Sequence, residues 1–126
     1  MPLVAILLSC TEHSSDQPNK FSDPLIVKIA DLQDRRLADS LILYLDHENP
    51  RYREEAVRAF GSVQITPNID KIGKLLLMDP DEGVRRSAAF ALGQIQHPSC
   101  ERILLGALVK EKVSINVREI LNAYGK

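Results

Sequence analysis

The chain repeats itself at a fixed interval, and that interval confines it to folds built as arrays. Asn49 to Val63 reads NPRYREEAVRAFGSV and Asp81 to Ile95 reads DEGVRRSAAFALGQI; the two align without a gap at an offset of 32. The alignment matches Tyr52 with Val84, Arg53 with Arg85, Ala56 with Ala88, Ala59 with Ala91, Phe60 with Leu92, Gly61 with Gly93 and Val63 with Ile95. Ile120, Ala123, Tyr124 and Gly125 fall at the same offset again, with Val117-Arg118 one residue late relative to Val84-Arg85. A unit of this length is one supersecondary element that cannot bury its apolar face alone, so neighbouring copies must stack.

The period inside each copy is helical. Tyr52, Ala56, Phe60 and Val63 form one stripe, and Val84, Ala88, Leu92 and Ile95 form its equivalent. Second helices are expected between these first ones: Ile69, Ile72 and Leu76 with Leu75 and Leu77, then Ile103, Leu104, Ala107 and Leu108. The earliest pair is expected at Pro24 to Leu32 and Arg35 to Leu45, the latter carrying Leu37, Leu41, Tyr44 and Leu45. Asp23-Pro24, Asn49-Pro50, Thr66-Pro67 and Asp79-Pro80 each place a capping side chain before a proline at the first helical position, where its missing N–H costs nothing. Asp79 and Glu82 have capping-box spacing, and His97-Pro98-Ser99 marks another helix start. The helices should pair antiparallel across 65–67 and 96–99. A small residue late in each first helix, Gly61, Gly93 and Gly125, permits a close crossing or an easy exit.

The stretch VRRSAAFALGQI, residues 84–95, resembles the first helix of HEAT-like repeats of the short type, the phycobilisome-lyase-like repeats, and Tyr52 to Val63 follows it in register. The resemblance covers about residues 24–126. It implies an all-α chain, an α-solenoid of antiparallel helix pairs of the HEAT or armadillo type, with about three repeats and a terminal helix. The domain is expected over 21–126, truncated at its C-terminal end so that a longer natural chain supplies a further helix covering Ile120 and Tyr124, the alternative being that this end is an atypical cap. In such proteins the arginine near the start of the first helix commonly pairs with an aspartate around the preceding turn. The resemblance therefore implies a structural ladder of Arg53, Arg85 and Arg118 with Asp46, Asp79 and Asp81, of modest value if exposed.

Residues 1–20 are of another kind. Pro2 to Leu8 are almost wholly apolar, too few to cross a bilayer, and a polar run from Thr11 to Lys20 follows. Leu7-Leu8-Ser9-Cys10 resembles the box of a bacterial lipoprotein signal, which implies lipidation of Cys10, a polar tether, and membrane association at the bacterial cell envelope. The alternative is an N-terminus of a cytoplasmic protein outside the repeat fold.

Chemistry is sparse. Basic and acidic side chains, 16 and 17, nearly cancel to a net charge of -1, so the long-range positive field of a nucleic-acid binder is missing. Tryptophan is absent and aromatic residues make up 5%, which supplies few stacking platforms. His13, His47 and His97 and the cysteines Cys10 and Cys100 make no metal-spaced pattern, and no phosphate loop or serine elbow is present. HEAT-like deoxyhypusine hydroxylases bind iron on His-Glu pairs in the helices of several repeats. His47-Glu48 is a single pair in a connector, so no iron is expected. Cys100 reads as a small packed residue. No cofactor is implied and no enzyme activity is expected.

A partner protein is expected instead. Family members usually bind along the inner face, on positions of the second helices that the core stripe leaves free. Here those are Asp70, Lys71, Lys74, Glu101 and Arg102, with Tyr44 as a candidate aromatic anchor. The competing expectations are an accessory or regulatory domain of an enzyme whose catalytic part lies elsewhere, and a subunit like those of the phycobilin lyases.

Overall fold

The computed structural model describes residues 19–64 and 66–126. Cys10, expected to be lipidated, therefore lies outside the described residues, as does most of the tether. Among the described residues the fold is all-helical, with seven α-helices and no strand. The first, α1 (Pro24–Asp34), follows a short 3-10 turn at Lys20–Ser22. Then come α2 (Ala38–Leu41), continued as a 3-10 segment over Ile42–Asp46, and α3 (Pro50–Val63). The chain goes on through α4 (Ile69–Met78), α5 (Glu82–Ile95), α6 (Pro98–Lys110) and α7 (Ser114–Tyr124).

Side chains before proline begin three of these helices. Asp23, Asn49 and His97 each accept a backbone N–H from two residues on, ahead of Pro24, Pro50 and Pro98. Two expected starts are displaced. Pro67 and Pro80 sit in turns ahead of α4 and α5, which begin at Ile69 behind Asn68 and at Glu82 behind Asp81. The cap of α5 is Asp81, whose carboxylate accepts from Val84 N–H; Asp79 is committed elsewhere. The expected helix from Arg35 to Leu45 also breaks up. Arg36 adopts a left-handed φ of 54°, so the helix restarts at Ala38 and tightens to 3-10 at Ile42, leaving Leu37 at the boundary and 37% exposed.

The odd-numbered helices form one row, α1 against α3, α3 against α5 and α5 against α7, while α4 packs on α6. Ala56, Phe60, Ala88, Leu92, Ile72, Leu76 and Leu104 meet in a continuous core. The expected pairing of α3 with α4 across 65–67 is not the principal one. Instead α4 lies chiefly on α5, α6 chiefly on α7, and α2 with its 3-10 extension on α3. The physical reason lies in the connections. The short turns before α5 and α7 are clamped by buried side chains, which favours pairing of α4 with α5 and of α6 with α7, while Gln64 and Asn68 in the α3–α4 connection take positive φ, of 52° and 79°.

Glycine sets the approach of the row. A Cβ at Gly61 would stand 2.9 Å from Ala91 Cα, and one at Gly93 would stand 2.8 Å from Ala123 Cβ. The close crossing is thus between successive odd-numbered helices. Gly125, at the corresponding repeat position just past the end of α7, meets only carbonyls of that helix.

Candidate functional site

The turns before α3, α5 and α7 are built alike. His47, Asp79 and Glu111 stand at the same repeat position, and each accepts the backbone N–H two residues on: Asn49 at 3.0 Å, Asp81 at 2.9 Å and Val113 at 3.0 Å. The arginine of the following helix then grips the turn from the other side. Arg53 donates through Nη1 to the carbonyls of His47 and Glu48 at 2.8 and 3.0 Å. Arg85 donates through Nη1 to the carbonyls of Asp79 and Pro80 at 2.8 and 3.3 Å. The remaining guanidinium nitrogens reach forward to the next turn. Arg53 Nε and Nη2 donate to Asp79 at 2.8 and 2.9 Å, and Arg85 Nε and Nη2 donate to Glu111 at 2.9 and 3.4 Å.

The ladder therefore differs from the expected one. The arginine binds carbonyls of its preceding turn and the carboxylate of the turn after. Arg53 pairs with Asp79, but Arg85 pairs with Glu111, which replaces the expected aspartate. Asp81 is a helix cap, Asp46 holds Lys71, and Arg118 has no ion pair among the described residues. Its one-residue displacement explains the difference, because Val117 occupies the repeat position of Arg53 and Arg85. Glu111 could have been found by carrying the offset of 32 forward from Asp79.

These pairs are buried. The side chains of Asp79 and Glu111 are 2% and 4% exposed, and those of Arg53 and Arg85 are 11% and 19% exposed. Burial by itself disfavours the Glu111 carboxylate, yet hydrogen bonds from Arg85, Val113 N–H and Asn116 outweigh it and hold the pKa at about 2. The Glu111 hydrogen bond raises the Arg85 pKa in turn, against desolvation. Modest surface worth is thus the wrong scale for this ladder, since removing one partner would strand a buried charge.

Beside the ladder lies an open groove in two parts. One hollow, of about 560 Å³, has Leu75 and Met78 on its wall and Asp46, Asp70, Lys71 and Lys74 around it. The other, of about 300 Å³, is lined by Leu77, Ala107, Lys110 and Lys112 and by the Arg85–Glu111 pair. Met78 and Asp79 belong to both, so the hollows adjoin. Met78 is 65% exposed between them.

Of the residues expected to touch a partner, Asp70, Lys71 and Lys74 come together in this groove. Glu101 lines a separate hollow with His97, Cys100 and Tyr124, and Arg102 is exposed outside both. Tyr44 is half-buried and packs against the core. Met78, Lys110 and Lys112 went unnoticed in the sequence because no local pattern separates a groove wall from an ordinary solvated helix end. Cys100 is buried, and desolvation raises its thiol pKa, which disfavours a thiolate. No group of His, Cys, Asp and Glu among the described residues could hold a metal ion. No described helix is long and apolar enough to cross a membrane.

Residues 84–110, spanning most of α5, the connection after it and all of α6, match the model of the PBS lyase HEAT-like repeat family. No curated protein and no solved structure matches the chain.

Proposed function

We propose that this chain is a noncatalytic scaffold module, an α-solenoid of HEAT-like repeats that binds another protein. The match over residues 84–110 supports the repeat type, and the identical clamping of successive turns supports extending it to α3 and α4. One observation carries the binding role: α4 and α6, which line the open groove, also carry exposed large apolar side chains beside charged ones. Met78 is 65%, Leu105 46% and Val109 84% exposed, and the adjoining groove is open to solvent. Such a surface suits a protein partner better than an enclosed small-molecule pocket would.

Lipidation of Cys10 belongs to the same reading and would tether the module to the bacterial envelope. Its support is the sequence Leu7-Leu8-Ser9-Cys10 alone. Intact mass of the native protein after membrane fractionation tests it: an acylated species starting at Cys10 is expected, and a soluble species retaining Met1 overturns the anchor. The binding role is tested by crosslinking in the host followed by reconstitution of the purified pair. A partner that protects Met78 and Val109 from solvent exchange or oxidation is expected. A protein that stays alone under crosslinking contradicts the scaffold reading.

The family description favours a second reading, an accessory subunit related to phycobilin lyases. It predicts a tight heteromer that carries visible bilin absorbance, and a colourless complex removes it.

A further inference from the structure

The groove beside the ladder has a charge that differs from that of the whole chain. Its carboxylates Asp79 and Glu111 are each engaged by an arginine, and Lys71 is held by Asp46. What remains free is Lys74, Lys110 and Lys112 against Asp70. A local excess of positive charge thus lines a partly apolar wall in a protein whose net charge is -1. Lys74, Lys110 and Lys112 are exposed, so reaching a ligand would not require breaking an existing pair.

The wall itself is specific in kind. Leu75 and Leu77 are partly buried, Ala107 is buried, and Met78 stands over the junction of the two hollows. Methionine is unbranched and polarizable, so it adapts to apolar side chains of differing shape. An occupant that satisfies both features carries carboxylates for the lysines and at least one apolar side chain for Met78. A phosphate backbone would meet Asp46 and Asp70 on the same rim. A flat anionic bilayer could not follow a recessed wall.

We propose that this groove docks an acidic segment of a partner protein, with an apolar residue seated against Met78 and flanking Asp or Glu side chains facing Lys74, Lys110 and Lys112. The proposal rests on the protein-binding reading above and adds the partner's chemistry and its place. The buried pairs Arg53–Asp79 and Arg85–Glu111 fix the turns that shape the groove and stay out of the exchange of charges.

The test uses the full chain and labelled ten-residue peptides in which acidic, neutral or basic residues surround leucines, followed by fluorescence anisotropy. Acidic leucine-containing peptides are expected to bind best. Their affinity should fall as salt rises from ~0.05 to ~0.5 M, because exposed charge pairs are screened over that range. The double variant K74E/K110E should weaken binding about tenfold or more through like-charge repulsion. The remote variant K28E on α1 should leave it unchanged. The Met78 methyl resonance should move on titration with the acidic peptide.

Equal binding of basic peptides, or acidic-peptide binding that survives K74E/K110E, would overturn the groove while leaving the scaffold reading intact. Binding of anionic vesicles or RNA at the same lysines, without peptide binding, would overturn the proposed occupant. No peptide binding up to ~1 mM, roughly the weakest useful docking affinity, together with a native protein that crosslinks to nothing, would remove both readings.

Discussion

The junction of α1 with α3 and the two junctions that follow it solve the same packing problem by different means. Between α3 and α5, and again between α5 and α7, a glycine lets the helices approach an alanine of the next, and a buried arginine locks the adjoining turn. The position of Gly61 and Gly93 corresponds in α1 to Ile29, which is buried, and that of Arg53 and Arg85 corresponds to Phe21, which is exposed. Individual contacts serve there instead: Tyr52 Oη donates to Asp23 at 2.8 Å, and Arg36 Nη2 donates to the Val63 carbonyl at 2.8 Å. Where the sequence repeats, one set of contacts recurs; where it does not, each contact is particular to its place.

The largest expected contrast comes from the ladder. Arg53→Met leaves the Asp79 carboxylate buried without its cation and should cost about 3–5 kcal/mol in denaturant unfolding. Arg51→Met removes only an exposed pair with Asp23, 3.6 Å apart, and should cost about 0–1 kcal/mol. Comparable losses would mean that the buried ladder has no special place.

Glycine gives the next contrast. Gly93→Val drives a side chain into the backbone of Ala123, and overpacking of this kind should cost about 3 kcal/mol. Ile29→Val, in the first junction, removes one methylene and should cost about 1 kcal/mol. A stable Gly93→Val protein would show that the close crossing between α5 and α7 is dispensable.

How far these features were legible in the sequence depends on their range. The stripes Ala56, Phe60 and Ala88, Leu92 located the core because helical spacing is local, and the residues before Pro24, Pro50 and Pro98 located three helix starts for the same reason. The break at Arg36 was hidden, because nothing in its own side chain favours a left-handed φ. The pairing of α4 with α5 was hidden too, since apolar period shows which face is buried and not which neighbour covers it. In the groove, Asp70, Lys71 and Lys74 share one helix and could be read together, whereas Lys110 and Lys112 join them only through the fold.

Acid should weaken the turn before α7. The Glu111 pKa is depressed from 4.5 to about 2, so its pairing stabilises the fold fully above about pH 4.5 and is lost as pH falls towards 2. Between those limits, the stability difference between wild type and E111Q should shrink with falling pH. A constant difference would show that ionisation of Glu111 does not contribute.

The smallest expected effect has the opposite sign. Gln96 closes α5 at a left-handed φ of 54°, and Gln96→Gly should raise stability by about 0.5–1 kcal/mol by relieving it. A loss on that substitution would mean that the Gln96 side chain makes a needed contact.

The recurrence of one clamp in two places is tested most directly by paired double-mutant cycles, Arg53 with Asp79 and Arg85 with Glu111, in equilibrium unfolding. Couplings of about 1.5–3 kcal/mol in both cycles, agreeing to within about 0.5 kcal/mol, are expected of equivalent buried pairs. A coupling near zero in either cycle would contradict the equivalence of the two clamped turns.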